Sequence, residues 1–150
     1  MNILSLFDGI SCGRVAIERA NIKVTNYYAS EINEKAIAVS KYNYSGIQHI
    51  GNIFDFEAWK LPKIDLIIGG SPCQNLSSSN VYGDGKGLNG EKSKLFWEYL
   101  KVLNKYKPKY FLFENVGSMK NIDKDVITRE LGVQPLKINS QLFSAQKRNR

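Results

Sequence analysis

Two side chains in this sequence have the type and placement for bond-making chemistry: the thiol of Cys73 and the carboxyl of Glu114. Cys73 closes the stretch Gly69-Gly70-Ser71-Pro72-Cys73, which follows the apolar run Asp65-Leu66-Ile67-Ile68. Two glycines after a buried strand allow a sharp turn and the close approach of a ligand. Pro72 restricts Ser71 to extended backbone and so aims the residue that follows. A free thiol has a pKa of about 8.5, so positive charge nearby would be needed to make it a nucleophile at neutral pH. Glu114 follows the apolar run Tyr110–Phe113, and desolvation there would raise its pKa and suit it to holding a proton. The ordinary alternative for Cys73 is a strand-to-loop turn with an incidental buried thiol, and on this stretch alone it stays open.

The elements that must position these groups alternate between strand and helix. Asn2–Leu6 reads as a first strand and residues 14–20 as a first helix, joined by Phe7-Asp8-Gly9-Ile10-Ser11-Cys12-Gly13. A glycine-bearing loop between a first strand and a first helix is where doubly wound folds bind nucleotide-like ligands. Residues 24–30 form a second strand ending at Glu31, where a carboxylate commonly accepts hydrogen bonds from ribose hydroxyls. Residues 34–44 are a second helix and 48–50 a short strand, which puts Asn52 at that strand's end beside the same pocket. Residues 77–91, with three serines and four glycines, read as an irregular lid beside Cys73. A helix over 91–106, the buried strand Tyr110–Phe113, a helix over 122–131 closed by Gly132 and a last strand over 133–138 complete the chain. The alternation predicts an α/β fold with a mostly parallel, Rossmann-like sheet covered by helices on both faces.

Composition narrows the function further. At 150 residues the chain suits one domain, here residues 1–150. Two cysteines without ligand spacing and a single histidine, His49, argue against a zinc site; no metal is expected. No apolar run approaches a membrane span, so no membrane partner is expected, and a reduced, cytoplasmic compartment fits best. The net charge of +7 lies wholly in residues 101–150, which carry eleven basic and four acidic side chains, a surface suited to a polyanion. Gly9-x-x-x-Gly13 is not the dinucleotide fingerprint, which disfavours a hydride-transferring oxidoreductase.

Taken together, these motifs resemble the DNA cytosine-5 methyltransferases. Residues 7–13 are similar to that family's methyl-donor loop, Ser71-Pro72-Cys73-Gln74 to its nucleophile motif, Glu114-Asn115-Val116 to its acid motif, and Gln146-x-Arg148-x-Arg150 to its paired arginines. The resemblance implies S-adenosyl-L-methionine as methyl donor, with S-adenosyl-L-homocysteine as product. Phe7, Asp8, Gly9, Ile10, Ser11, Cys12 and Gly13 would lie on its methionine side, Glu31 at the ribose, Ile32 and Ile53 beside the adenine, and Pro72 in the same cleft. Asn52 stands where the family carries an aspartate that accepts from the adenine amino group; an amide carbonyl still accepts, without charge assistance. Cys73 would add to C6 of cytosine, Glu114 would hold N3 and the exocyclic amine, Arg150 would contact O2, and Arg148 would support the site and a nearby phosphate. The partner implied is double-stranded DNA with the target cytosine flipped out.

The family continues beyond its paired arginines into a strand, a target-recognition domain and a helix that returns to the cofactor pocket, whereas this sequence stops at Arg150. A split enzyme completed by a second polypeptide or by self-association, a truncated gene, and a catalytically silent module that binds S-adenosylmethionine or DNA are all compatible with that. The expectation is that the chain alone methylates DNA poorly, with residues 133–138 an unpaired edge and Arg148 and Arg150 on a fraying terminus.

Overall fold

The computed structural model describes residues 1–72, 88, 94–146, 149 and 150. Cys73, Gln74, nearly all of the 77–91 stretch, residues 91–93 and Arg148 lie outside the described residues. Among the described residues five parallel strands form one sheet: β1 (Asn2–Leu6), β2 (Asn26–Ser30), β3 (Ile47–Gly51), β4 (Leu66–Gly69) and β5 (Tyr110–Phe113), in the order β3-β2-β1-β4-β5. The helices α1 (Cys12–Arg19), α2 (Glu34–Asn43), α3 (Lys94–Tyr106) and α4 (Asn121–Leu131) fall between and after them. Parallel neighbours cannot be joined by hairpins, so the intervening helices and the 3-10 turn Ile53–Ala58 serve as the crossovers. The fold is the expected α/β, Rossmann-like one.

The order reverses direction at β1, whose two neighbours are β2 and β4. That is the topological switch point, the position outside the carboxyl ends of the strands where open parallel sheets receive ligands. Leu6, the last residue of β1, lies opposite Ser30 of β2 and Gly69 of β4. The loop that begins at Phe7 therefore emerges at this point. Ile3, Leu4, Leu6 and Ile67 are fully buried, as central parallel strands covered on both faces require. One face closes over Ile3, Ile17, Tyr27, Ala29, Ile47, Leu66 and Ile68.

By internal contacts the chain divides into two compact units, residues 1–70 with 101–113 and residues 71–100 with 114–150. The whole sheet belongs to the first. In the second, α4 ends at Gly132, whose left-handed φ of 69° makes the expected helix stop. Among the described residues, no helix is long and apolar enough to cross a membrane.

Two expectations are corrected. Residues 133–138 form no strand: Pro135 has no N–H to give to a ladder, and Val133, Leu136 and Ile138 are exposed. Ile138 instead exchanges two 2.8 Å backbone hydrogen bonds with Arg150, and Asn139 forms an antiparallel bridge with Asn149, so the backbone of the expected fraying terminus is tied at Arg150. β5 is not a buried strand either. It is the edge of the sheet, with Tyr110 and Leu112 more than half exposed.

Candidate functional site

The loop after β1 is held in an unusual backbone path. Phe7 and Ser11 both have positive φ, 55° and 66°, although neither is glycine, and Gly9 between them has φ 59°. Left-handed backbone at a residue with a side chain costs on the order of 1 kcal/mol or more, and persists only where surrounding contacts over-determine it. Those contacts are present. The Asp8 amide donates to the Ser30 carbonyl at the end of β2, and the Ser11 amide donates to the Asp8 carbonyl. The buried Asp8 carboxylate accepts from Tyr27 Oη at 2.9 Å and from Ser11 Oγ at 2.5 Å. Burial first, and then the charge of Asp8, push the Tyr27 phenol far above its ordinary pKa, so it stays a donor.

Glu31 couples this loop to β2. Its Oε2 accepts from the Gly9 amide at 2.8 Å, and its Oε1 accepts from the amides of Ile32 and Asn33 at 2.8 and 2.9 Å. A carboxylate offers about four lone-pair sites, so three backbone donors leave capacity for a ligand hydroxyl. A ligand claiming a second site would have to displace one of those amides. The residue is therefore the clamp that orients the loop beside it, with one acceptor site to spare.

The remaining residues expected around the cofactor differ in their surroundings. Ile32 is 69% exposed, an apolar face free to pack on a flat ring, whereas Ile53 is buried. Asn52 caps the turn that follows it, its Oδ1 accepting from the Phe54 amide at 3.1 Å, which leaves the second lone pair of that carbonyl for an amino donor. Ile10 and Cys12 are exposed, Cys12 being the first residue of α1. Pro72 belongs to the second unit and is partly buried.

In that second unit Glu114 forms an ion pair with the Arg150 guanidinium. The premise of a desolvated carboxyl is not met, since the Glu114 side chain is 50% exposed and the Arg150 side chain 23%. The pair brings together the acid motif and one of the two arginines. Asn115 ties the acid motif to the segment before Cys73: its Nδ2 donates to the Ser71 carbonyl at 3.3 Å and lies 3.4 Å from Ser71 Oγ, while its Oδ1 accepts from the Val116 amide. Asn115 thus gains a role that the sequence reading left blank. Leu88, the described residue within the expected lid, is buried, and its amide donates to the Asp123 carboxylate in the first turn of α4.

Sequence reasoning also missed Ser40 and His49. Ser40 is fully buried on α2 and lies 2.6 Å from Ser11 Oγ; its own Oγ is 3.3 Å from His49 Nε2. The sequence carried little signal for Ser40, since α2 is only weakly amphipathic and its Val39 and Tyr42 are exposed. Burial lowers the His49 pKa more than the Asp8 charge raises it, so the ring is neutral at physiological pH.

Comparison with known proteins adds an independent finding. A model of the C-5 cytosine-specific DNA methylase family matches residues 1–137. The orphan methyltransferase M.Rho11sI of Bacillus phage rho11s is 34% identical over 126 residues, which are 83% of this chain and 24% of that protein. The type II methyltransferase M.FnuDI of Fusobacterium nucleatum is 35% identical over 119 residues, covering 79% of this chain and 33% of its own. The type II methyltransferase M1.ScrFI of Lactococcus lactis subsp. cremoris is 30% identical over 148 residues, or 96% and 37%. The chain spans about a quarter to a little over a third of the length of these relatives.

Proposed function

Because the chain belongs to the C-5 cytosine-specific DNA methylase family, we propose that residues 1–150 are an S-adenosylmethionine-dependent catalytic domain acting on C5 of cytosine in DNA. The observation that carries this reading is the family match over residues 1–137, which includes the loop after β1, Glu31, Cys73 and Glu114. Arg148 and Arg150 lie beyond the matched range, and the Glu114–Arg150 ion pair supports counting Arg150 with the acid motif.

C5 of cytosine is too weak a nucleophile to attack a methyl group unaided. The Cys73 thiolate adds to C6, and the ring becomes enamine-like with electron density at C5. Glu114 hydrogen-bonds N3 and the exocyclic amine and offsets the charge that develops there, while Arg150 engages O2. Arg148 supports the site and an adjacent phosphate. A bound donor would supply an electrophilic methyl on its sulfonium, with S-adenosylhomocysteine as the other product. Loss of the C5 proton and expulsion of the thiolate from C6 then restore the ring and free Cys73. Residues 7–13, Glu31, Ile32, Asn52 and Ile53 would hold the donor, with Glu31 accepting from a ribose hydroxyl, and the family resemblance adds Pro72 to them. The target base leaves the duplex to reach the thiol. The basic excess in residues 101–150 supplies phosphate contacts, so DNA affinity falls steeply with salt.

The direct test is transfer of a labelled methyl group to duplex DNA, measured for the chain alone, at concentrations that permit self-association, and with a polypeptide corresponding to the rest of a relative's length. C5-methylcytosine formed in any arm supports the reading. S-adenosylhomocysteine binding without methylation in any arm would favour a silent binding module.

Glu31→Ala is expected to weaken S-adenosylhomocysteine binding by ~1–3 kcal/mol, since it removes both an acceptor for the ligand and the anchor of the Gly9 amide. Calorimetric titration checks this. Affinity equal to the unaltered chain would remove Glu31 from the cofactor site.

A further inference from the structure

We propose that Tyr27, Ser40 and His49 are positioning residues for the cofactor loop: a buried hydrogen-bond chain from β2, α2 and β3 converges on Asp8 and holds residues 7–13 in their binding path. The inference rests on the reading of that loop as the S-adenosylmethionine site.

The direction of the chain follows from counting protons. Ser11 has one hydroxyl proton, which it gives to Asp8 Oδ2. Its 2.6 Å contact with Ser40 must then be donated by Ser40, whose own proton is thereby used. Ser40 has nothing left for His49, so His49 Nε2 carries the proton and donates to Ser40. This fixes the tautomer of the ring. His49 Nδ1 is buried with no partner among the described residues, which suits a bare acceptor nitrogen far better than an N–H. From the other side Tyr27 donates its phenolic proton to Asp8 Oδ1. Every donor therefore points toward one carboxylate.

The chain acts where the loop most needs holding. Asp8 and Ser11 are its two buried side-chain anchors: Asp8 stands between Phe7 and Gly9, both with left-handed backbone, and Ser11 is itself left-handed. Tyr27 also limits the space at the start of α1: a Cβ on Gly13 would lie 3.1 Å from Tyr27 Oη and 2.5 Å from Ile68 Cδ1. None of the three residues needs to touch the ligand. They act through Asp8 and Ser11 on the Gly9 amide, whose acceptor is Glu31.

The test uses the full chain and compares Tyr27→Phe, Ser40→Ala, His49→Leu and His49→Gln, with Ile47→Val as a core truncation on the same strand as His49. Gln places an amide donor near the position of Nε2, whereas Leu has none. Two readouts are needed: amide exchange of Gly9 and Ser11 without ligand, and calorimetric affinity for S-adenosylhomocysteine. Tyr27→Phe, Ser40→Ala and His49→Leu should speed loop exchange about tenfold and weaken binding about three- to tenfold, the scale of one lost buried hydrogen bond. His49→Gln should restore both values, and Ile47→Val should lower the melting temperature without moving either. Unchanged loop exchange in Tyr27→Phe and Ser40→Ala would overturn the proposal. So would a response of Ile47→Val as large as theirs, because the network would then act only through global stability. Should the unaltered chain bind no adenosyl ligand, the cofactor reading fails, and the exchange data alone decide whether the network positions the loop.

Discussion

Cys73→Ser is expected to lower methyl transfer by roughly 10⁴-fold or more, in whichever assembly is active, while leaving S-adenosylhomocysteine affinity unchanged. A hydroxyl is far less ionised than a thiol at neutral pH and is a poorer nucleophile toward C6. Residue 73 lies outside residues 7–13, the loop proposed to hold the donor. The same experiment has a covalent readout. A duplex carrying 5-fluorocytosine has no C5 proton to lose, so addition and methylation proceed but the thiolate cannot be expelled, and the protein–DNA adduct accumulates. Mass spectrometry should locate that adduct on the Cys73 peptide and find it in Cys12→Ser but not in Cys73→Ser. Cys12 is exposed as the first residue of α1 and lies within the loop, residues 7–13, that would hold the donor rather than the base. An adduct persisting in Cys73→Ser would move the nucleophile elsewhere.

The second large effect is structural. Gly69→Ala is expected to destabilise the chain by about 3 kcal/mol, at the upper end of the range for overpacking a well-packed core. Gly69 ends β4 between Leu6 of β1 and Phe113 of β5. A Cβ there would stand 2.5 Å from the Leu6 carbonyl oxygen and 3.1 Å from Leu6 Cβ. A side-chain tip could swing aside, but a backbone carbonyl in a central strand cannot move without pulling β1 and β4 apart. The melting temperature should fall by roughly 6–12 °C, using 2–4 °C per kcal/mol for a chain of this size. A melt within a degree of the unaltered chain would show that the strands tolerate a wider spacing. The glycine is thus required by the approach of β1, where the sequence suggested a turn or a ligand. Because the same glycine precedes Gly70-Ser71-Pro72-Cys73, the substitution should also displace the segment proposed to carry the nucleophile, and depress any methyl transfer beyond what the loss of folded protein explains.

Much of the molecule was readable from residue order alone. Short apolar stretches placed all five strands to within about two residues, and helical periodicity placed α1, α2, α3 and α4, though not the 3-10 turn Ile53–Ala58, because both signals arise from local geometry and burial. Motif residues at the carboxyl ends of those strands led to the family, and the match over residues 1–137 agrees with it. Local signals failed where the partner is distant in sequence. Residues 133–138 look strand-like by composition, yet Pro135 and the pairing of Ile138 with Arg150 gave that segment another structure. Tyr110–Phe113 is apolar but lies at the sheet's edge, a fact of strand order that no window of residues contains.

The site divides in the same way. Glu31, Asn52 and the loop at residues 7–13 could be named as candidates because a doubly wound sheet delivers ligand contacts from fixed points along the chain. That Glu31 spends three acceptor sites on backbone amides, that Glu114 meets Arg150, and that Tyr27 and Ser40 converge on Asp8 were decided only when the chain closed. Each of these is a hydrogen bond or ion pair whose donor and acceptor come from different parts of the chain. Residue types determine which groups can donate and which can accept. The tertiary structure decides which of them meet, because a buried polar group takes whatever partner the packing of the sheet and helices brings within about 3 Å.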